Sequence, residues 1–347
     1  MKHIAILSGE GGQGHLSVAK AIQAWCKIWG LSADIFDVLP KINDKVYKVL
    51  NKSPKSYNSL FKLTDNISVA NIFMEATKFD VERRIKKYKC DLSTYNLVIS
   101  THPFLHPICS AKTAMVVLDP TVHASYFAKP HTDTYISFYN KETEKILKAG
   151  IPQDDVIVTG PLARPLFYEQ AKKPRQEDKI ILVTAGGAWI RKSNKYIEML
   201  DEISKNHGYK FVFVCGKDKK FQKERSEEYK KNTNLIFLGW QELRDMANWI
   251  GKSSAILAFS IAQMSIEAGI FGKPIFIADY IAGQEDGYKE ILVSKKVAKV
   301  LYGKPVEKME QLKTYLTEAN PIKNANLTKW QKELFLVPNK FKKYILK

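Results

Sequence analysis

Three clusters of residues in this chain have types and spacings that can do chemistry. Gly9-Glu10-Gly11-Gly12-Gln13-Gly14-His15 lies between the apolar residues Ile4, Ala5, Ile6 and Leu7 and a helical pattern. A histidine at the start of a helix stands at the positive end of its dipole, which favours the neutral imidazole by about 0.3–1 kcal/mol. A neutral imidazole is a proton acceptor. The second cluster, Asp119-Pro120-Thr121-Val122-His123, follows another apolar run and sets a carboxylate four residues before an imidazole. The third lies within 255–287, which reads as strand, loop, helix, Gly stop, strand, polar loop. Gly272 suits a helix end and Pro274 cannot continue one. Glu267 falls on that helix, and Gln284 and Glu285 in the second loop. In a parallel sheet with helical crossovers, ligands sit at the carboxyl ends of strands. Both loops leave such ends, so these polar groups can converge on one ligand.

The elements that position these clusters repeat in both halves. Residues 2–8 read as a strand buried on both faces. A helix with Val18, Ala21, Ile22, Trp25, Ile28 and Trp29 at helical spacing follows, then a strand at 33–38. Gly9, Gly11 and Gly14 also satisfy the dinucleotide pattern G-x-G-x-x-G, with Asp34 or Asp37 as its acidic partner. A nicotinamide or flavin enzyme is therefore a rival reading, although any tight strand-to-helix turn needs glycines. Further strands are expected at 96–100, ending on Thr101-His102-Pro103-Phe104, and at 115–118 and 133–137, with a helix at 142–149. The second half restarts with a strand at 179–184 and the turn Ala185-Gly186-Gly187-Ala188. It continues with a helix at about 193–205, strands at 211–215 and 235–238, Gly239-Trp240, and a helix at 243–250. Alternation of this kind predicts an α/β protein with two doubly wound domains, 1–170 and 179–323. The linker is charged, and a tail at 324–347 crosses back to the first domain.

A length of 347 residues with 45% apolar content suits two cores. No apolar run approaches the ~18–20 residues of a spanning helix, and the start does not read as a signal peptide. A cytosolic protein is expected. Cys26, Cys90, Cys109 and Cys215 lack metal-type spacing, and three or four buried thiols are expected. The net charge of +18 suits a Lys-rich surface or an anionic membrane face. No nucleic-acid module is present, so no nucleic-acid partner is expected. Residues 40–88 mix bases and aromatics, among them Tyr47, Lys52, Tyr57, Phe61, Phe73, Phe79, Arg83 and Lys86. That mixture suits an interfacial surface, or equally a helical pair packed on the first sheet.

Several of these stretches together resemble one family. Glu267-Ala268, Gly272-Lys273-Pro274 and Gly283-Gln284-Glu285 resemble the donor-sugar site of a glycosyltransferase group. That group contains the processive diacylglycerol glycosyltransferases, the monogalactosyldiacylglycerol synthases and the enzyme that adds N-acetylglucosamine to lipid I. Gly12-Gln13-Gly14-His15 with Ser17 and Ala19 resembles its Gly-rich acceptor loop. Asp119 and His123 match its strand-end Asp and His, and Thr159-Gly160-Pro161-Leu162-Ala163-Arg164 resembles its Thr-Gly-x-Pro-x-Arg segment.

The resemblance implies a GT-B fold, two Rossmann-like domains facing a central cleft. It implies an inverting transfer of a hexose from a UDP-sugar to a lipid such as diacylglycerol, at the cytoplasmic face of an anionic membrane. No cofactor or tightly bound metal is implied. His15 would be the general base, with Asp119 orienting a catalytic group or sharing its proton. Gly12, Gly14, His123 and Arg164 would serve the acceptor and phosphate, although Arg164 equally suits a tie between domains. Gly186, Gly187, Ser260 and Met264 would approach the donor, and the Trp240 loop its nucleobase, with a core position for Trp240 as the alternative. Glu267 would bind the ribose, and Gln284 and Glu285 the sugar.

One departure stands out. The family carries a Pro-Gly-Gly-x-Thr-like loop where this chain has Ser260-Ile261-Ala262-Gln263-Met264, leaving Ser260 or Ser265 to supply a hydroxyl. A non-catalytic UDP-sugar and membrane-binding homologue, and a UDP-sugar epimerase of the same architecture, are the further alternatives.

Overall fold

In the computed structural model the strand-helix alternation closes into two six-stranded sheets, parallel throughout. The structure describes residues 2–9, 13–40, 59, 61–106, 109–174, 178–186, 190–317 and 325–346. Glu10, Gly11, Gly12, Gly187, Ala188, Tyr47, Lys52 and Tyr57, singled out above, lie outside the described residues.

The first sheet contains β1 (His3–Ser8), β2 (Ser32–Asp37), β3 (Leu97–Ser100), β4 (Lys112–Val116), β5 (Thr134–Ser137) and β6 (Val156–Val158), in the order β2-β1-β3-β4-β5-β6. Helices α1 (Gln13–Ile28), α2 (Ile67–Lys87) and α3 (Asn140–Lys148) go with it. The second sheet contains β7 (Ile180–Thr184), β8 (Lys210–Val214), β9 (Leu235–Leu238), β10 (Ala255–Ala258), β11 (Ile275–Ile277) and β12 (Ala298–Val300). Its order is β12-β11-β10-β7-β8-β9, which read from β9 is the doubly wound order of dinucleotide-binding sheets. The remaining helices are α4 (Pro165–Ala171), α5 (Ile197–His207), α6 (Lys219–Glu228), α7 (Leu243–Lys252), α8 (Ala262–Ile270), α9 (Asp286–Ser294), α10 (Pro305–Thr317) and α11 (Ala325–Leu346).

The apolar runs become central strands because helices cover both faces of each sheet. Ile4, Ala5, Ile6 and Leu7 are fully buried, as are Leu182 and Val183 in β7 and all of β10. By contacts the chain divides into two units. One runs to Pro165 and takes in Ala282–Gly287 and the end of α11 from Leu336 on; the other holds Leu166–Ile281 and Tyr288–Phe335. The strand order reverses between β1 and β3 in the first sheet and between β7 and β10 in the second. Ligands enter such folds at these switch points.

Some expectations need correction. Residues 190–196 form a 3₁₀ stretch, and the α-helix starts only at Ile197. Only Cys26 and Cys215 are buried; Cys90 and Cys109 are half-buried. An added Cβ at Gly9 would overlap the Leu39 side chain, and the Asp34 carboxylate is held by His3 (2.7 Å) and the Tyr95 hydroxyl (3.0 Å). Gly9 is thus explained by packing and Asp34 by local partners, without a dinucleotide.

Candidate functional site

At the first switch point, α1 delivers His15 to the carboxyl end of β3. The His15 Nδ1 lies 2.5 Å from the Thr101 carbonyl oxygen. A carbonyl only accepts, so Nδ1 carries the proton and Nε2 is left with its lone pair. This is the tautomer a general base needs, and a backbone carbonyl fixes it. Asp119, expected to orient a catalytic group, does not hold His15: its Oδ2 accepts from the Tyr126 hydroxyl at 3.2 Å. His102 stacks beside His15, with ring centroids 4.4 Å apart. Its Nδ1 accepts from the Phe104 N–H at 3.2 Å, which leaves the proton on Nε2. Burial, reinforced by the charge His15 can carry, holds His102 well below the usual histidine range. A second imidazolium therefore does not form next to His15. An added Cβ at Gly14 would meet no described atom within 4 Å, so the first turn of α1 is open beside His15.

The turn after β4 is strained and strongly held. Val122 has φ +52° and its N–H bonds the Asp119 carbonyl at 2.8 Å. A β-branched residue rarely adopts this conformation unless its surroundings over-determine it. Here Lys145 Nζ donates to the Thr121 carbonyl (2.6 Å). The Thr121 hydroxyl accepts from the Gly287 N–H (3.2 Å) and faces the carbonyls of Gly283 and Gln284 (3.1 Å each). An added Cβ at Gly287 would fall 2.6 Å from the Pro120 and Thr121 backbone. Gln284 and the buried Glu285 therefore sit on a loop laid against the turn that carries Asp119. His123 is a correction. Its Nδ1 pairs with Ser125 Oγ (2.7 Å), and its Nε2 faces the Phe61 carbonyl (3.1 Å) and the Thr64 hydroxyl (3.2 Å). With both nitrogens used, it holds the turn Ala124–Phe127 and does not face a phosphate or acceptor.

Beside Asp119 lies Glu142, fully buried at the third position of α3. Its Oε2 accepts from the Phe138 N–H (2.5 Å), the Ser137 hydroxyl (3.1 Å) and the Tyr139 N–H (3.2 Å). Burial, with the Asp119 charge adding to it, outweighs these donors and pushes the carboxyl from 4.5 up to about 8. The folded value lies above the unfolded one, so the native state holds a proton that the unfolded chain has released. This stability is full below about 4.5 and is lost as pH rises through about 8. The expected result is a melting temperature that falls across this window, with stability dropping by up to about 1.4 kcal/mol per pH unit. Thermal melts of Glu142→Gln should lack that slope; an identical slope in the variant refutes the assignment.

At the second switch point the loops after β7 and β10 meet. Gly186 has φ +59°, and a Cβ there would stand 3.3 Å from Ser260 Oγ. Ser260 is buried at the end of β10, and Met264 is half-buried in the first turn of α8. The Ser265 hydroxyl, one of the two candidates for the missing loop hydroxyl, donates to the Ala262 carbonyl at 2.7 Å and is buried. Glu267 is buried on α8. That helix is seated on α11: a Cβ at Gly269 would lie 2.6 Å from the Trp330 ring, and Gln331 Nε2 donates to the Ile270 carbonyl at 2.8 Å. Trp240 is 50% exposed, its Nε1 donating to Glu242 (3.1 Å) and Lys217 lying over its ring, so it is not a core residue. Arg164 is half-buried just before α4, at the end of the first unit and apart from both switch points in sequence.

Thr101, His102 and Thr121 were not singled out as functional from the sequence. The histidine at a strand end was the available signal for the first two; Thr121 offered none.

No family model matches the chain. The processive diacylglycerol β-glucosyltransferase of Staphylococcus carnosus (strain TM300) is 22% identical over 346 residues, covering 91% of this chain and 85% of its own. Among solved structures, the spinosyn rhamnosyltransferase superposes with a TM-score of 0.61 at 11% identity over the whole of both chains. The UDP-GlcNAc 2-epimerase of Neisseria meningitidis, bound to UDP-GlcNAc, gives 0.55 at 14% identity, covering 99% of this chain and 98% of its own. At such identities the structures speak for the fold alone. By sequence the chain is similar to the processive diacylglycerol β-glucosyltransferases, and its fold is of the GT-B type, with two Rossmann-like α/β units.

Proposed function

We propose that the protein transfers a hexose from a UDP-sugar to the hydroxyl of a membrane lipid such as diacylglycerol. The observation that carries the reading is the Nδ1–H of His15 facing the Thr101 carbonyl, which leaves Nε2 as proton acceptor. The acceptor oxygen attacks the anomeric carbon while its proton passes to His15 Nε2. The bond from that carbon to the β-phosphate oxygen breaks, and its electron pair leaves with UDP. A single displacement inverts the anomeric centre. The second unit binds the nucleotide: Glu267 accepts from the ribose hydroxyls, and Gly186 and Ser260 lie at the diphosphate. Gln284 and Glu285 take the sugar hydroxyls. No cofactor takes part in this scheme.

The lipid partner is supported by α2. Ala70, Met74, Thr77 and Val81 turn inward. Ile72, Ala76, Phe79, Arg83 and Lys86, at helical spacing, lie on the outer side, with Ile72 72% and Phe79 76% exposed. Apolar residues followed by bases on one stripe suit the boundary of an anionic bilayer. No described helix is long and apolar enough to cross a membrane, so this reading is of a peripheral protein at the inner leaflet. Ile72→Asp with Phe79→Asp should weaken sedimentation with phosphatidylglycerol vesicles by about tenfold or more, from burial of roughly 1.5–3 kcal/mol per side chain. Unchanged sedimentation would remove α2 from the membrane contact.

The test of the whole reading is incubation with radiolabelled UDP-hexoses and anionic liposomes containing diacylglycerol. Labelled glycolipid supports it. A melting temperature raised by NAD and not by UDP would favour a nicotinamide enzyme. An altered sugar released without acceptor would favour an epimerase. The loop 260–264 without its glycines specifically favours one rival, a homologue that binds UDP and membranes without transfer. UDP and liposome binding with no labelled product is its signature.

A further inference from the structure

At the carboxyl ends of β11 and β12 the second unit encloses a cavity of about 250 Å³. It is lined by Asp279, Tyr280, Lys289, Tyr302 and Lys308. Neither Gly186, Ser260 nor Glu267 reaches it. Two ammonium groups line it and a third lies against two of its lining residues, each from a separate element. Lys308 Nζ, from α10, donates to the Ala278 carbonyl at 2.5 Å. Lys289 Nζ, from α9, donates to the Tyr280 hydroxyl at 2.8 Å and lies 4.6 Å from that ring's centre. Lys192, from the 3₁₀ stretch after β7, reaches Asp279 at 3.3 Å and the Tyr280 carbonyl at 3.3 Å. The one carboxylate lining the cavity is that of Asp279.

Lysines on a solvated surface spread apart. These are gathered and partly withdrawn from water, with the Lys192 side chain only 16% exposed. Burial, with repulsion from Lys195 and Lys192 added and Asp279 only partly offsetting it, holds the Lys308 ammonium below the usual lysine range. Crowding like charges in a concave, partly desolvated place is unfavourable, and an anion relieves it. The groups on offer are donors. Ammonium groups have no acceptor, and the Tyr280 hydroxyl, already accepting from Lys289, still has its own proton to give. Such a set matches an oxygen-rich anion that only accepts.

We propose that this cavity is a second ligand site, separate from the donor site at the β7/β10 switch point, and that it takes a phosphate group through Lys192, Lys289 and Lys308. The phosphate can come from a soluble phosphate or monoester, or from the headgroup of an anionic lipid. The site does not depend on the sugar-transfer reading, because its residues are not those assigned to UDP.

The test uses the full chain and the variant Lys289→Gln with Lys308→Gln. Inorganic phosphate, titrated at constant ionic strength against chloride, should raise the melting temperature of the wild type, with affinity in the variant reduced about tenfold or more. The Kd for UDP should stay within about twofold in the variant, since the two sites are distinct. Glycerol phosphate, phosphatidylglycerol vesicles and phosphatidylcholine vesicles form the remaining arms. Stabilisation by glycerol phosphate identifies a soluble source, and variant-sensitive binding to phosphatidylglycerol alone identifies a lipid headgroup. Equal phosphate binding by variant and wild type, or no binding by any phosphate probe, overturns the site. Competition between UDP and phosphate overturns its separateness. A variant with lowered intrinsic stability does not confuse the result, because ligand-induced shifts are compared within each protein. Lys192→Gln supplies an independent variant from a third element.

Discussion

Replacing His15 by Ala is expected to cut sugar transfer by about 10²–10⁴-fold, the usual contribution of a positioned general base, while UDP affinity stays within about twofold. The size of the effect follows from geometry. The Thr101 carbonyl holds the Nδ1 proton, so Nε2 is the only atom of the ring that can take another. His102, kept neutral by burial, packs against the ring without competing for the proton. Loss of the imidazole leaves the acceptor hydroxyl to be deprotonated by water, and nothing in the nucleotide's own contacts changes. The measurement is the initial rate of labelled glycolipid formation, together with calorimetric UDP binding on the same preparation. Added imidazole should restore part of the lost rate. Full turnover in the variant would end the base assignment; a parallel collapse of UDP binding would point to a disturbed fold.

Glu267→Ala is expected to weaken UDP binding by about 10- to 100-fold, because hydrogen bonds to a charged group contribute roughly 1.5–3 kcal/mol. A carboxylate offers acceptors to both ribose hydroxyls at once, and this one is buried on a helix with little freedom to move. Gly269 leaves no room between α8 and the Trp330 ring, so the backbone under Glu267 is fixed from behind. Calorimetry with UDP and 2′-deoxy-UDP separates this from general damage. The wild type should lose affinity for the deoxy ligand, and the variant should no longer distinguish the two. Discrimination that survives in the variant places the ribose elsewhere.

Much of this site was legible as strand ends. The apolar runs at residues 4–7, 115–118 and 180–184 were recognisable because strands buried on both faces have no polar alternation. The loop after each run was therefore a candidate for a ligand. His15, Gly186 and, beyond the run at 255–259, Glu267 were candidates for that reason. The short β12 was not, since Ala298-Lys299-Val300 has neither length nor a continuous apolar character. Trp240 was ambiguous because an aromatic after a strand packs inward or outward equally well, and only the fold left it half exposed.

What the sequence determined alone was the pair of parallel α/β units, the carboxyl-end loops and the residue types placed on them, because periodicity and glycine placement are local properties of the chain. Tertiary structure decided which of those side chains have their atoms to spare. His15 owes its tautomer to a carbonyl 86 residues away, and a backbone oxygen leaves no mark in the sequence at either position. His123, equally promising by type and spacing, spends both nitrogens on Ser125, Phe61 and Thr64. Lys289 and Lys308 came to line one cavity, with Lys192 against its Asp279, only when three separate elements brought them together. Hydrogen bonding and charge act over a few ångströms of space, and distance along the chain does not measure that space.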